Sequence, residues 1–223
     1  MQFLYHPQSG DKQITINGDY YNYLFKVRRH KKGEQVGLRN LQDQNLYIYK
    51  IEDVSRKEAL LRLVRFYQKP LLPKRFFHLL WCIVDPKMIE KTLPTLNELG
   101  VSKITFIYCD RSQKNFRLKM DKLQKILVNS CQQCGRSALM ELEVARSLKE
   151  VLERYDTITI MDFGGKALSC QEEIVRALVG PEGGFSEEER KLFEGFRLRS
   201  FDTPLVLRSE SAAIGVATWI IKE

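Results

Sequence analysis

Over the first 70 residues, apolar positions recur in short alternating runs broken by turn residues. Gln13-Ile14-Thr15-Ile16 closes at Asn17-Gly18, and Gln35-Val36-Gly37-Leu38 follows Lys32-Gly33. Leu46 to Ile51 and Leu60 to Val64 are rich in β-branched and aromatic side chains. Period-two runs bounded by Asn-Gly and Lys-Gly predict strands joined by tight turns, and so a small β-barrel. A helix over about Tyr20 to Val27 interrupts the series and delivers Lys26, Arg28, Arg29, His30, Lys31 and Lys32 to one edge. Gln68 to Lys74, with two prolines, is the linker, which divides the chain into 1–70 and 71–223.

Beyond the linker the period changes. Phe77 to Ile83 is a continuous apolar run of the buried-strand type, Pro86 to Leu99 reads as a helix stopped by Gly100, and Lys103 to Tyr108 returns as a strand. Pro94 falls inside that helix and is expected to kink it. A long helix covers about Lys119 to Cys134, strands follow at Thr157 to Met161, Ile174 to Val179 and Leu205 to Leu207, and a last helix runs from Ala212 to Lys222. Strand and helix in alternation imply βα units and an α/β fold with a largely parallel sheet.

Composition narrows the class. The chain has 223 residues, 43% hydrophobic and 29% charged, which excludes disorder and fibrous architectures. Met1 to Gly10 lacks the apolar stretch of a signal peptide and no run is long enough to span a bilayer, so a cytoplasmic protein without a membrane partner is expected. Five cysteines at irregular spacing in such a chain are expected to be reduced thiols. The Cys131-x-x-Cys134 pair has neither a second pair nor a neighbouring histidine, so no metal site is read there. His78 reads as a strand core residue.

The net charge of +8 is unevenly placed: residues 1–70 hold 13 Lys and Arg against 7 Asp and Glu, the remainder 23 against 21. A basic excess in the small part is consistent with a polyanion partner, nucleic acid before membrane, and equally with an ordinary solvated face.

Candidate chemistry lies near the carboxyl terminus. In Val179-Gly180-Pro181-Glu182-Gly183-Gly184-Phe185-Ser186 a strand enters a turn with three glycines, and Ser186 and Glu189 stand at capping-box spacing. Such a loop admits a ligand against backbone, although a tight strand-to-helix turn needs no ligand. It lacks the Lys-Ser/Thr of a phosphate loop, and Glu187, Glu188 and Glu189 would repel phosphate. Leu207-Arg208-Ser209-Glu210-Ser211 ends the Leu205 to Leu207 strand; if both strands share a sheet, Gly180 and Arg208 emerge at one edge. Taken singly, Ser209 or Ser211 could be a helix N-cap and Glu210 a first-turn carboxylate.

Gly180-Pro-Glu-Gly-Gly-Phe-Ser186, followed by Leu207-Arg-Ser-Glu-Ser-Ala212, resembles the paired C-terminal motifs of the RsmE family, the SPOUT-class small-subunit (16S) ribosomal RNA uridine-N3 methyltransferases. Further matches are Lys87-Met-Ile-Glu-Lys91, Glu98-Leu-Gly-Val101, Arg111-Ser112, Gln133-Cys-Gly-Arg136, Val27-Arg28 and Lys32-Gly-Glu34. Ser209 stands where the family usually has threonine, Cys134 where it usually has serine, and Phe201-Asp-Thr-Pro204 replaces a Leu-Gly-containing turn.

The resemblance implies a trefoil-knotted methyltransferase domain behind a PUA-like β-barrel, a homodimer, and the cofactor S-adenosyl-L-methionine. It implies cofactor contacts from Met161, Phe163 and Gly164, from Val179, Gly180, Pro181, Glu182, Gly183 and Gly184, and from Leu205, Leu207, Arg208, Ser209, Glu210 and Ala212. Arg111, Arg136 and Glu210 are the catalytic candidates. Arg28, Arg29, Lys31 and Lys32, with Arg111 and Arg136, are the candidates for RNA. The substrate implied is small-subunit ribosomal RNA, in the assembled subunit. The competing reading is a non-catalytic RNA-binding ribosome assembly factor, which would need the basic part but no glycine loop.

Overall fold

The computed structural model describes residues 3–221 apart from 114 and 170. By internal contacts the chain forms two units, residues 1–72 with 128–139, and residues 73–127 with 140–223.

The first unit carries β1 (Leu4–Tyr5), β2 (Gln13–Asn17), β3 (Gln35–Arg39), β4 (Asn45–Val54) and β5 (Glu58–Gln68), in the order β1-β3-β4-β5-β2. β1 runs parallel to β3 and the other pairs are antiparallel. Among the described residues the edge strands β1 and β2 are not paired with each other, so the expected barrel is an open sheet there. Bulges at Ile48/Tyr49 and Ile51/Asp53 in β4 bend it. Ile14, Ile16, Leu38, Tyr49, Ile51 and Leu61 fill its inner face. The expected helix begins earlier, as α1 (Gly18–Tyr21), and continues as a π-helical segment over Asn22–Val27.

The second unit is built on six parallel strands: β6 (His78–Cys82), β7 (Lys103–Ile107), β8 (Glu141–Ala145), β9 (Thr159–Ala167), β10 (Arg176–Val179) and β11 (Arg197–Ser200). Their order is β11-β9-β10-β6-β7-β8. The helices are α2 (Pro86–Leu99), α3 (Met120–Cys134), α4 (Leu148–Arg154), α5 (Glu187–Lys191) and α6 (Ser209–Ala217), the last followed by a 3₁₀ turn at Thr218–Ile220. Side chains alternate across the central strands. Leu79, Trp81, Ile104 and Phe106 face a core with Ile89 and Leu93 of α2 and Ala213 and Val216 of α6. Leu80, Cys82 and Ile107 face the opposite core, with Val151 of α4 and with Phe185 and Phe193. This is a three-layer α/β/α arrangement.

Local chemistry explains the boundaries. The Asp85 side chain accepts from the Lys87 N–H to start α2, and Gly100, at φ 95°, ends it in the left-handed conformation. α2 is continuous through Pro94.

Three expectations need correction. Leu205 to Leu207 is not a strand; it is an exposed connection, with Leu205 and Val206 72% and 77% exposed. The sheet's last strand is instead β11, whose Arg-Leu-Arg-Ser sequence carries little apolar signal. The last helix starts at Ser209, not Ala212, and its N-cap is Arg208 without a side-chain cap bond, so neither Ser209 nor Ser211 caps it. Finally, Cys82 and Cys109 form a disulfide, whereas Cys131 and Cys134 carry thiols. The adjacent parallel strands β6 and β7 bring the two Cα atoms to 5.9 Å, a spacing a disulfide spans without backbone movement. Cys170 and Lys222 lie outside the described residues.

Candidate active site

The carboxyl end of β10 and the middle of β9 open into a pocket of about 280 Å³. It lies where open parallel sheets bind ligands, and its size is near the lower end of the about 300–1,000 Å³ usual for ligand sites. One wall is the glycine turn, with Val179, Gly180, Pro181, Glu182, Gly184 and Phe185. A second comes from the middle of β9, with Met161, Asp162, Phe163 and Gly164. The third is the connection from β11 to α6, with Phe201, Thr203 to Leu207, Ser209 and Ala212.

The first and third walls are joined by one buried hydroxyl. Trp81 Nε1 donates to Ser209 Oγ at 2.9 Å, and Ser209 Oγ donates to the Gly180 carbonyl at 2.6 Å. Ser209 thus holds α6 to the end of β10 rather than capping the helix. A threonine there would keep that hydroxyl.

The glycine turn is shaped by its own sequence. The Gly184 N–H donates to the Pro181 carbonyl at 2.9 Å, and Gly184 sits at φ +68°. Only glycine adopts that conformation without strain. Ser186 and Glu189 complete the capping box read from their spacing. Arg190 closes the opposite side with two bonds to Asp162, Nε to Oδ2 at 2.8 Å and Nη2 to Oδ1 at 3.0 Å, and the carboxylate raises the guanidinium's already high pKa.

The residues singled out from the sequence fall into four groups. Twelve of the cofactor candidates line this pocket: Met161, Phe163, Gly164, Val179, Gly180, Pro181, Glu182, Gly184, Leu205, Leu207, Ser209 and Ala212. Gly183, Arg208 and Glu210 lie outside its lining. The Gly183 carbonyl accepts from Arg111 Nη1 at 2.6 Å, the Arg208 side chain is 78% exposed, and Glu210 is buried with Oε2 unpartnered. Arg136 belongs to the 128–139 segment of the other unit and is buried, which lowers its pKa from the usual arginine value. Arg28, Arg29, Lys31 and Lys32 are exposed on the first unit. There, Arg28 Nε donates to the Tyr23 hydroxyl and Lys32 pairs with Asp53 at 3.0 Å.

Sequence reasoning missed Asp162, Phe201 and the Thr203-Pro204 wall. Asp162 adjoins a predicted strand, and only the tertiary pairing with Arg190 marks it out. The lining contains no lysine or arginine and two carboxylates, Asp162 and Glu182. That donor set suits a cationic or neutral ligand and disfavours a phosphorylated one.

Comparison with known proteins supports an RNA-modifying enzyme. Residues 72–221 match the family described as RNA methyltransferase domain, and residues 16–64 match the RNA methyltransferase PUA domain. The chain is 41% identical to Ribosomal RNA small subunit methyltransferase E of Helicobacter pylori, over 98% of each chain. It is 26% identical to the protein of the same name from Aquifex aeolicus, over 97% of this chain and 96% of that one. A Legionella pneumophila protein solved with the cofactor SAM bound superimposes with a TM-score of 0.85 at 26% identity, covering 98% of this chain and 96% of that one. The α/β unit behind a PUA-like unit is therefore the shared architecture, and the chain belongs to the ribosomal RNA small subunit methyltransferase E family.

Proposed function

We propose that the protein methylates N3 of a uridine in small-subunit ribosomal RNA, with S-adenosyl-L-methionine as methyl donor. The observation that carries this is the pocket at the sheet's carboxyl end, in which the two motif segments meet through Ser209 and Gly180. The pocket fits the donor: it is apolar at Met161, Phe201, Leu205 and Leu207, is lined by Gly180 and Gly184 of the glycine turn, and carries carboxylates but no cationic side chain that would oppose a sulfonium.

When bound, S-adenosyl-L-methionine supplies an electrophilic methyl group. The protein's part is mainly to hold donor and base in contact, which can supply several kcal/mol of the barrier, about 7–11 in well-oriented cases. Gly180, Pro181 and Leu207 would hold the adenosyl group. Asp162, fixed by Arg190 within β9, and Glu182 would hold the cationic part. Arg111 stands above Gly183 and offers its remaining N–H groups to the pyrimidine carbonyls, where negative charge develops as the N3 proton leaves. Glu210, a buried carboxylate with an uncommitted oxygen beside Ser209, is the acceptor we assign for that proton. Arg208 serves the cofactor, and Arg136, on the first unit, serves RNA. Arg28, Arg29, Lys31 and Lys32 capture RNA phosphates. The chain works as a cytoplasmic homodimer on the assembled subunit, with the segment leading into α6 threaded to form the family's knot.

Calorimetry with S-adenosyl-L-methionine, followed by mass mapping of methylated nucleosides in small subunits from cells lacking the protein, tests this reading. Cofactor binding and loss of one N3-methyluridine are expected. RNA binding without cofactor binding would instead identify a non-catalytic assembly factor.

A further inference from the structure

The glycine turn is tied to a second loop by more bonds than a helix cap requires. A capping box needs only Ser186 and Glu189: here Glu189 N donates to Ser186 Oγ at 3.1 Å, and Ser186 N donates to Glu189 Oε2 at 2.9 Å. Two more bonds leave this box for a residue over seventy positions away. Ser186 Oγ donates to Asp110 Oδ2 at 2.6 Å, and the Asp110 N–H donates to Glu189 Oε1 at 2.9 Å. Glu189 is buried, and both its oxygens are taken by backbone N–H groups of different loops. One residue further on, Arg111 reaches the Gly183 carbonyl at 2.6 Å.

The loop that carries Asp110 and Arg111 is itself rigid at its base. Cys109 N donates to Ser112 Oγ, Ser112 N donates to the Cys109 carbonyl, and Cys109 is bonded to Cys82 at the end of β6. The deformable partner is the glycine turn, where Gly183 and Gly184 adjoin and Gly184 is left-handed. A charged acceptor bonding a hydroxyl that also caps a helix fixes both loops at one point, and charge-assisted bonds of this kind are about twice as strong as neutral ones.

We propose that Asp110 and Ser186 form a clamp that moves Arg111 and the glycine turn as one body, so that filling the cofactor pocket raises affinity for the substrate RNA, and RNA raises affinity for the cofactor. Asp110 and Ser186 are positioning residues: neither lines the pocket, and each acts through Arg111 or Gly183. The inference rests on the reading that Arg111 faces RNA and the glycine turn holds the cofactor. By linkage the effect is reciprocal, and couplings between sites run at about 5- to 150-fold.

The test measures affinity for S-adenosylhomocysteine, which cannot transfer a methyl group, with and without small ribosomal subunits purified from cells lacking the protein. In the wild type, subunits should tighten S-adenosylhomocysteine binding about fivefold or more. In Asp110→Ala and in Ser186→Ala the enhancement should fall below about twofold, while Asp110→Asn and Ser186→Thr, which keep the acceptor oxygen and the hydroxyl, restore it. Thermal unfolding verifies that each variant is folded, and Ser186→Ala carries the test should Asp110→Ala not fold. Enhancement unchanged in both alanine variants, or absent from the wild type, overturns the clamp. A wild-type protein that binds no S-adenosylhomocysteine overturns the functional reading and the clamp with it, a result distinct from intact binding without coupling.

Discussion

The two ends of the six-stranded sheet are built on opposite plans. Around His78, at the amino ends of β6, β7 and β8, buried and half-buried polar groups bond one another, although Arg176 Nε at the start of β10 has no partner. His78, the first residue of β6, shares a 2.8 Å hydrogen bond between Nε2 and Thr105 Oγ1, and Thr105 Oγ1 donates to Glu143 Oε2 at 3.1 Å. Lys103 and Arg154 bond Glu143 in turn, holding its carboxyl down at about 2. At the carboxyl end, one wall is tied through Ser209, Asp110 and Arg190, while the other exposes Leu205 and Val206, and Glu210 keeps an uncommitted oxygen. A saturated network serves stability; open valences and uncovered apolar side chains leave room for a ligand. Substitutions at the amino end should therefore move stability and spare affinity, and those on the exposed wall should do the reverse.

The largest expected effect belongs to His78. Burial, with Lys103 and Arg176 nearby, pushes its pKa from 6.5 down to about 4. The unfolded chain then binds the proton first, so stability is full above pH 6.5 and drains away as pH falls from 6.5 to about 4, by about 3 kcal/mol at most. Glu143 contributes a separate loss as pH falls through about 4.5 toward 2, so the two windows overlap only near pH 4 to 4.5 and the fall above pH 5 does not come from Glu143. Urea unfolding at intervals from pH 7.5 to 5 should show the fall, and His78→Gln should make it shallower, leaving the part due to buried His6, without altering affinity for S-adenosylmethionine at pH 7.5. A slope as steep in His78→Gln as in the wild type would break the comparison at its amino end.

Next in size is Ser209→Ala. It strips the partner from a buried indole N–H and from the Gly180 carbonyl, a cost of about 1–3 kcal/mol. Because Ser209 also joins two pocket walls, affinity for S-adenosylmethionine should fall with stability, whereas Ser209→Thr should retain both. Chemical denaturation and calorimetry on the same samples decide it; lost stability with unchanged affinity would place Ser209 with the structural groups.

Gly184→Ala should cost about 1 kcal/mol or slightly more, because φ +68° is disfavoured once a β-carbon is present. Gly183 is the milder site, since an added β-carbon would meet only Arg111 side-chain atoms at 3.4 Å or more. The two glycines look alike in the sequence, so the comparison of Gly183→Ala with Gly184→Ala by thermal unfolding isolates the backbone term. Equal shifts would remove it.

Much of this was legible beforehand wherever one local pattern settles the matter. Pro86 and Gly100 delimit α2 in the sequence as they do in the structure, and the Ser186 to Glu189 spacing is a capping box in both. The fold class follows from alternating apolar runs. What could not be read rests on partners distant in sequence. β11 and β8 are short edge strands with polar or half-buried sequences, and they earn their place only by pairing with β9 and β7. Leu205-Val206-Leu207 has a strand's composition, yet among the described residues it pairs with no strand. The Cys82 to Cys109 bond depends on β6 and β7 being adjacent, which spacing alone does not state. Asp110 and Asp162 were invisible for the same reason.

The smallest effect on stability, and the sharpest test of the open wall, belongs to Leu205 and Val206. Both line the pocket, and both are more than two-thirds exposed. The wall they form is held by few bonds, among them Thr203 N to the Phe201 carbonyl and Leu205 N to Thr203 Oγ1. Replacing both with serine removes little that folding had buried, so unfolding midpoints should stay within about 0.5 kcal/mol of wild type. Binding is different. If a ligand covers these side chains, each buried methylene contributes about 0.8 kcal/mol, and the double variant should bind S-adenosylmethionine at least tenfold more weakly, with a smaller negative heat-capacity change. The heat capacity discriminates, because a merely loosened loop would weaken affinity while leaving the apolar area covered nearly the same. Unchanged affinity and heat capacity would show that the ligand never reaches this wall, and would shift the site onto the glycine turn and the middle of β9 alone.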